Sequence, residues 1–152
     1  MRKKRILIVD DESGFLRLLK LGLEKKGNYR VHEENDSTQA VEAALKFNPD
    51  LILLDFVMPK AHGADVAAKF REHAQFHLTP ILFLSGTVQK RKGDTVQIQG
   101  FEALAKPIGL DELIAAIERN LALVEAANGR RAGLFSRIGE AFQRLSGKAA
   151  GV

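Results

Sequence analysis

The sequence contains no cysteine and no tryptophan. Without cysteine the protein has no disulfide, no thiolate metal site and no thiol nucleophile, and this composition fits a reducing cytoplasm. No apolar run is long enough to cross a bilayer, and the run at residues 6–9 is too short for the core of a signal peptide. We therefore expect a cytoplasmic, globular protein.

The chain is also short and its charge is uneven. With 152 residues, 45% of them hydrophobic, it has room for one domain and an appendage. Residues 127–152 hold 5 of the 23 Lys and Arg residues but only 1 of the 19 Asp and Glu residues. The net charge of +4 therefore belongs to the tail. The balanced main part gives no reason to expect nucleic-acid binding.

Short apolar runs alternate with amphipathic segments along the first 110 residues. Three runs predict buried strands, and two weaker runs complete a set of five: Ile6–Val9, Leu51–Leu54 and Ile81–Leu84, then Tyr29–Glu33 and Phe101–Ala105. Polar residues crowd the run that begins at Tyr29, so we place it at a sheet edge. Strand followed by helix, repeated five times, predicts a doubly wound α/β domain with a parallel sheet and helices on both faces.

Several residues mark the predicted helix ends. Asp36 and Ser37 can cap the second helix, which Asn48-Pro49 ends, and Gly27-Asn28 ends the first. A last helix is predicted from Leu110 to about residue 126, where Asn128-Gly129 breaks it.

Polar groups suited to phosphoryl chemistry follow the strands. Asp10 and Asp11 come directly after the first strand, Asp55 after the third, Ser85 after the fourth and Lys106 after the fifth. Parallel strands bring their carboxyl ends to one edge, so we expect these groups to converge. Three carboxylates at close range repel one another and favour a bound cation, and oxygen ligands suit Mg²⁺. A carboxylate nucleophile, a divalent ion and donors for phosphoryl oxygens are what phosphoryl transfer requires.

Each of these residues, taken alone, has a structural explanation. The three aspartates precede helices, where an aspartate often caps the backbone, and Ser85 and Lys106 could be ordinary loop residues. The ordered set is what favours a site, because capping preferences alone do not supply the needed group at four strand ends in order.

The sequence around these residues resembles the receiver domain of two-component response regulators across roughly residues 4–126. The motifs that carry the resemblance are Ile-Leu-Ile-Val-Asp10-Asp11, Leu-Ile-Leu-Leu-Asp55-Phe-Val-Met58-Pro59 with Gly63, Phe-Leu-Ser85-Gly86-Thr87, and Ala-Lys106-Pro107. The resemblance implies a five-stranded sheet of flavodoxin-like order 2-1-3-4-5. In size the chain is similar to stand-alone receivers of chemotaxis and phosphorelay systems.

The resemblance also implies a role for each matching residue. Asp10, Asp11 and Asp55 would bind Mg²⁺ with the backbone carbonyl of Val57. Asp55 would accept the phosphoryl group from a histidine kinase or phosphotransfer protein. Ser85 would then move toward that group, Lys106 would contact one of its oxygens, and the Lys106-Pro107 peptide would be cis.

Three positions concern the readout and lifetime of the phosphorylated state. Ala103 stands where the family often has Tyr or Phe, whose ring turns inward on activation, so the usual readout is open to question. Val57 and Thr87 flank the acceptor, where the family tunes the lifetime of its aspartyl phosphate. An apolar Val57 cannot orient an attacking water, so we expect slower hydrolysis than in a Val57→Asn variant.

Residues 127–152 form the predicted second unit, a linker and a basic amphipathic helix. Apolar residues recur there at helical spacing: Leu134, Phe135, Ile138, Ala141, Phe142 and Leu145. This stripe could pack on the parent domain, on a second copy, on a partner protein, or on an anionic membrane through residues 130–146. The tail is too short for a DNA-binding output domain, so we expect signalling through protein contacts and a monomer or weak homodimer.

The sequence thus predicts a phosphorylation-dependent switch for signal transduction, with no enzymatic activity beyond its own phosphorylation and dephosphorylation. Two alternatives remain. A constitutive interaction module would keep the fold without phosphorylation, and Ala103 makes that worth testing. An aspartate-nucleophile phosphatase would need a second aspartate two residues after Asp55, where Val57 stands.

Overall fold

A computed structural model describes residues 2–89 and 95–148 of the protein. Within these residues six strands form one sheet: β1 (Lys4–Val9), β2 (Tyr29–Glu34), β3 (Leu51–Asp55), β4 (Ile81–Ser85), β5 (Val96–Ile98) and β6 (Phe101–Ala105). Their order across the sheet is β2-β1-β3-β4-β6-β5, and all pairs are parallel except β5 with β6. The predicted order 2-1-3-4-5 is confirmed, with β6 as the predicted fifth strand and β2 at an edge.

In the described part of the chain four helices cover the two faces of the sheet: α1 (Ser13–Lys26), α2 (Ala40–Phe47), α3 (Gly63–Glu72) and α4 (Leu110–Lys148). Two short 3₁₀ turns, Ser37–Gln39 and Ala74–Phe76, lie beside α2 and α3. The first helix ends before Gly27, and Asp36 accepts a hydrogen bond from Thr38 N as the chain turns toward α2. The doubly wound α/β fold is therefore confirmed.

The core has two layers because the strand side chains alternate between the faces of the sheet. Leu16, Leu23 and Ile117, from α1 and α4, pack on Ile6 and Ile8 of β1. On the opposite face, α2 and α3 pack against the remaining strand residues. Each face of the central strands is therefore buried, which explains why they read as continuous apolar runs.

Strand register brings the strand ends together. Val9 of β1 lies opposite Leu54, and Asp55 lies opposite Leu84. Ser85 ends β4 and lies opposite Ala105, the last residue of β6. The residues that directly follow these strands therefore share one edge of the sheet.

The chain between β4 and β6 differs from the prediction of a helix after the fourth strand. Among described residues 86–89 and 95–100 the regular element is strand β5, which pairs antiparallel with β6. Gln99 and Gly100 join these strands with φ of 51° and 84°. A two-residue turn with positive φ at both positions matches the twist of a hairpin, and glycine favours it. The helix prediction is wrong for the described residues of this connection.

The last helix is longer than predicted. α4 runs without interruption over 39 residues, through Asn128 and Gly129, so the predicted break there is wrong. Asn and Gly each cost a helix interior only about 1 kcal/mol or less, and Ala and Arg residues on both sides favour the helix. The division into units at residues 1–126 and 127–152 stays a prediction.

The same helix decides one question about the tail. Leu134, Phe135, Ile138, Phe142 and Leu145 are all 55–73% exposed. The apolar stripe therefore does not pack on the parent domain. Among the described residues no helix has the length and apolar character of a membrane span.

Candidate functional site

Three carboxylates meet at the shared edge of the sheet. One carboxylate oxygen from each of Asp10, Asp11 and Asp55 lies within 4.8 Å of the others. Asp10 is fully buried, Asp55 is 6% exposed and Asp11 is exposed. The convergence expected from the strand order is therefore observed, and the cluster has one side open to solvent.

Hydrogen bonds fix both oxygens of Asp10. Its Oδ1 accepts from the backbone N–H of Glu12 at 3.0 Å, and its Oδ2 accepts from Lys106 Nζ at 2.6 Å. Glu12 is the residue that precedes α1, so Asp10 orders the start of that helix as well as facing the cluster. The alternative of simple capping does not hold for Asp55, because the next helix begins only at Gly63.

Asp55 is held in an environment that favours its neutral form. Burial, followed by the negative charge of Asp10, raises the pKa of Asp55 to about 6. Lys106 Nζ lies 3.6 Å from Asp55 Oδ1, and Val57 N–H donates to the same oxygen at 3.4 Å, and both oppose that rise. With a pKa of about 6, the carboxyl group of Asp55 is mostly ionised at neutral pH, and the ionised form is the one that can act as a nucleophile.

Lys106 carries the positive charge of the site. Burial alone would lower the pKa of Lys106, but the hydrogen bond with Asp10 and the charges of Asp10 and Asp55 outweigh burial and raise it. The ammonium group also lies 4.5 Å from the ring centroid of Phe15, in the first turn of α1. The peptide between Lys106 and Pro107 is cis, as the resemblance implied.

Ser85 lies at the same edge but is engaged with a neighbour. Its Oγ is 2.8 Å from Thr87 Oγ1 and accepts from Thr87 N–H at 3.1 Å. Ser85 is 1% exposed. Its hydroxyl is therefore oriented by Thr87, and no hydrogen bond joins it to the carboxylates among the described residues.

The loop after β3 folds tightly against the acceptor. Gly63 N–H donates to Phe56 O at 2.9 Å, and a Cβ atom on Gly63 would lie 2.6 Å from Asp55 O. Val57 forms an isolated bridge with His62, and its side chain is 51% exposed beside Asp55. Met58 is buried, so the loop is anchored on one side and open at Val57.

Ala103 is buried in an aromatic environment that the sequence did not indicate. It lies opposite Phe83 of β4 and Val96 of β5, and it is 2% exposed. The Phe83 ring is edge-on to Phe56 at 5.3 Å and to Phe101 at 5.5 Å between centroids. Phe101 is two residues before Ala103, so its side chain lies on the same face of β6. These rings fill the layer around Ala103.

Two contributors to the site were not found from the sequence, namely Phe15 and the hydrogen-bonded pairing of Lys106 with Asp10. In the sequence Phe15 is one more apolar residue of an amphipathic helix. Only the structure, which places the start of α1 next to Lys106 after β6, reveals its contact with that lysine. The pairing depends on which carboxylate a flexible lysine reaches, and residue order does not determine that.

The donor set fits a hard divalent cation. Carboxylate oxygens are the ligands that Mg²⁺ prefers, and three of them converge here with one open side for water. Lys106 balances part of their charge and leaves the exposed Asp11 free to complete a metal site. The cluster could therefore hold a metal ion.

Comparison with known proteins agrees with the geometry. The family described as "Response regulator receiver domain" matches residues 6–118. The "Transcriptional regulatory protein SrrA" of Staphylococcus aureus is 38% identical over an alignment of 119 residues that covers 74% of this chain and 46% of that protein. The chain therefore spans less than half the length of this relative.

Solved structures share the fold over most of the chain. A response regulator from Desulfuromonas acetoxidans is 29% identical with a TM-score of 0.68, and covers 79% of this chain and 98% of its own. The chemotaxis protein CheY4 of Vibrio cholerae is 26% identical with a TM-score of 0.67, and covers 77% and 98%. With the matched family spanning most of the sequence and the acidic cluster in place, the chain belongs to the response regulator receiver domains of two-component systems.

Proposed function

We propose that this protein is a phosphorylation-dependent switch in which Asp55 accepts a phosphoryl group from a histidine kinase or phosphotransfer protein. The observation that carries the proposal is the convergence of the carboxylates of Asp10, Asp11 and Asp55, with the ammonium of Lys106 3.6 Å from Asp55. That arrangement has a nucleophile, a place for a cation and a fixed positive charge within one small volume.

Asp10, Asp11 and Asp55, with the backbone carbonyl of Val57, are the ligands that would hold Mg²⁺. When bound, the ion neutralises charge on the phosphoryl oxygens during transfer. The buried Asp10 is already fixed by Glu12 and Lys106, so it offers a rigid ligand position. The exposed Asp11 can move to complete the coordination.

In the transfer, a carboxylate oxygen of Asp55 forms a bond to phosphorus as the bond to the donor histidine nitrogen breaks. The histidine side chain keeps the electron pair of that bond and takes up a proton. Lys106 contacts a transferred oxygen, and the pKa of Asp55 near 6 leaves the carboxylate mostly ionised at neutral pH. Val57 and Thr87 shape the approach to the acceptor.

After transfer, Ser85 would exchange its contact with Thr87 for one with the phosphoryl group. The Ser85 and Thr87 oxygens are 2.8 Å apart in this structure, so the exchange requires a rotation of one hydroxyl group and a movement of its loop. That movement would change the surface around Thr87 and bias a two-state equilibrium toward binding a downstream protein in the cytoplasm.

Incubation with Mg²⁺ and acetyl phosphate, followed by intact mass measurement, tests the acceptor. We expect one added phosphoryl group on the wild type and none on Asp55→Ala. Asp111→Ala is the matched control, because Asp111 is an exposed aspartate paired with Lys26 at the start of α4. It should be phosphorylated like the wild type. An adduct that appears equally on Asp55→Ala would show that the acceptor is another residue.

A constitutive interaction module is the second candidate, and Ala103 is the observation that favours it. With a small residue at this buried position, the ring that usually reports activation is absent. If the module is constitutive, phosphorylated and unphosphorylated protein would give the same amide-exchange pattern around Ser85 and Thr87. Faster or slower exchange there on phosphorylation supports the switch. A phosphatase is less well supported, since Val57 provides no carboxylate two residues after Asp55.

A further inference from the structure

The second half of α4 is an uncovered helix. Every residue from Asn128 to Ser146 is exposed, whereas Leu113, Ala116 and Ile117 of the first half are buried under the sheet. The chain therefore builds a helix of about 20 residues that extends about 30 Å beyond the domain.

Both halves of α4 use the same face. The residues that meet the domain and the residues of the exposed stripe follow one alternation of three- and four-residue steps, which is interrupted once by the exposed Arg131: Leu113, Ile117, Asn120, Val124 and Ala127, then Leu134, Ile138, Ala141 and Leu145. Such spacing drifts about 20° around a straight helix per seven residues, which adds up to about 60° between the middle of the residues that meet the domain and the middle of the stripe. The exposed stripe therefore faces within about 60° of the side on which the domain lies.

This direction limits what can cover the stripe. A flat membrane laid on Leu134 and Ile138 would run into the domain, which protrudes from the same face of α4. A second helix in parallel orientation would also collide, because its first half would occupy the space of the domain. An antiparallel helix avoids both collisions, because it lies along the stripe while its own domain is at the opposite end of the pair. A slim, antiparallel helix is thus the shape that fits.

Three glycines in the exposed half indicate that the helix needs a cover. Gly129, Gly133 and Gly139 weaken an isolated helix, and helical segments of this length are marginal in water even without glycine. All three lie outside the apolar stripe, so none of them interrupts it. Packing along the stripe is therefore the available source of stability for this segment.

The stripe is complementary to itself under a two-fold axis perpendicular to α4. Antiparallel pairing centred between Ile138 and Ala141 places Ile138 of one chain against Ala141 of the other. A large side chain then lies opposite a small one. The same pairing sets Leu134 of one chain against Leu145 of the other. Phe135 and Phe142 then meet along one flank of the pair. In an isologous contact each of these pairings occurs twice about the two-fold axis, and a large side chain opposite a small one fills the centre.

We propose that the exposed half of α4 is a homodimerisation surface, on which a second copy of this chain docks its own α4 antiparallel. The five exposed apolar side chains bury on the order of 500 Å² per chain, below the roughly 800 Å² of a standard interface. Arg137 and Arg144 face each other across the second flank and weaken the pair further, especially at low salt. The dimer should therefore have a dissociation constant in the micromolar range, and the proposal does not depend on phosphorylation.

Disulfide trapping tests the orientation of the two helices. Because the sequence has no cysteine, each introduced cysteine can pair only with the one introduced in the other chain. Leu134→Cys and Leu145→Cys are prepared separately, oxidised alone, and oxidised as an equimolar mixture. We expect a mixed dimer in the mixture and little dimer from either chain alone. Efficient self-pairing of each variant, with no preference in the mixture, would show parallel helices and overturn the proposal. No dimer in any sample would overturn it too.

Sedimentation velocity of the full chain, over about 5 to 500 μM, tests the surface itself. Ile138→Asn should weaken self-association at least tenfold, and Gln143→Asn, on the outer side of α4, should leave it unchanged. A wild type that stays monomeric, or an Ile138→Asn variant that dimerises normally, would overturn the proposal. Cosedimentation with phosphatidylserine vesicles completes the test. A monomer that binds vesicles through Ile138 would replace the second copy with a membrane.

Discussion

The ammonium group of Lys106 lies 2.6 Å from Asp10 Oδ2 and 3.6 Å from Asp55 Oδ1. Lys106 thus donates a hydrogen bond to Asp10, whereas it lies near the acceptor Asp55 without a hydrogen bond to it. Asp10 has no exposure to solvent, so this contact is its main compensation inside the protein. A phosphoryl group on Asp55 would offer Lys106 a competing set of oxygens, and the balance between the two partners is central to the site.

Replacement of Lys106 by Met should lower both stability and phosphorylation. The variant keeps the packing of the side-chain stem but leaves the buried Asp10 without its cation, and we expect a loss of about 2–4 kcal/mol in the free energy of unfolding. The rate of phosphorylation by acetyl phosphate should fall at least tenfold. Urea denaturation in EDTA and intact mass time courses measure the two effects.

The control for this variant is Lys60→Met. Lys60 is also paired with an aspartate, Asp36, at 3.1 Å, but the lysine side chain is 63% exposed. Such a surface pair contributes about 0–1 kcal/mol. Equal losses of stability in the two lysine variants would contradict the importance of burial at Asp10.

Asp55 should make the metal-free protein less stable as the pH rises. Its pKa is about 6 in the folded state and about 3.9 in an unfolded chain, so the folded state holds the extra proton. The contribution of Asp55 to stability is therefore full below about pH 4 and is lost as the pH rises through 6. Asp55→Asn should therefore be more stable than the wild type by about 1–2 kcal/mol at pH 7.5. This is less than the full pKa shift would give, because solvent screens part of the effect.

Urea denaturation in EDTA at pH 4.5 and 7.5 checks this. The advantage of Asp55→Asn should shrink at the lower pH, and added Mg²⁺ should raise the stability of the wild type more than that of the variant. Asp111→Asn, at an exposed position, should show little difference at either pH. An Asp55→Asn variant that is less stable than the wild type at pH 7.5 would contradict the direction of the pKa shift.

Gly63→Ala should damage the loop that holds the acceptor. The added methyl group would lie 2.6 Å from Asp55 O and 2.8 Å from Phe56 Cα, and backbone atoms cannot easily move away. We expect a loss of about 2 kcal/mol in stability together with slower phosphorylation. Gly86→Ala is the matched control, since nothing lies within 4 Å of a Cβ at that position. Thermal unfolding of both variants decides between a steric effect at Gly63 and a general effect of losing glycine.

The convergence of Asp10, Asp55 and Lys106 could be predicted from the sequence because it follows from the topology. Buried parallel strands give unbroken apolar runs, and the next residue of each run falls at the carboxyl edge whatever the details of the loops. The sheet order and the acidic cluster therefore needed no knowledge of side-chain packing.

The β5–β6 hairpin and the full length of α4 could not be predicted in the same way. The hairpin depends on Gln99 and Gly100 taking positive φ, and the three residues of β5 give too short a pattern to compete with an expected helix. At Asn128-Gly129, helix and break differ by only about 1–2 kcal/mol, a balance that the neighbouring residues decide. Ala103 is similar, because the rings that surround it come from Phe83 and Phe101 on different strands.

The side chain at Val57 should set how long the phosphoryl group stays on Asp55. Val57 is 51% exposed two residues after the acceptor, and its backbone N–H donates to Asp55 Oδ1 at 3.4 Å. An apolar side chain cannot orient an attacking water, whereas an amide can accept or donate a hydrogen bond to it. We expect Val57→Asn to hydrolyse its aspartyl phosphate several-fold faster than the wild type. Val57→Leu, which stays apolar, should decay like the wild type. The decay of each purified phosphoprotein, followed by intact mass, measures this, and equal rates for Val57→Asn and the wild type would mean that water reaches the phosphorus along a path that this side chain does not control.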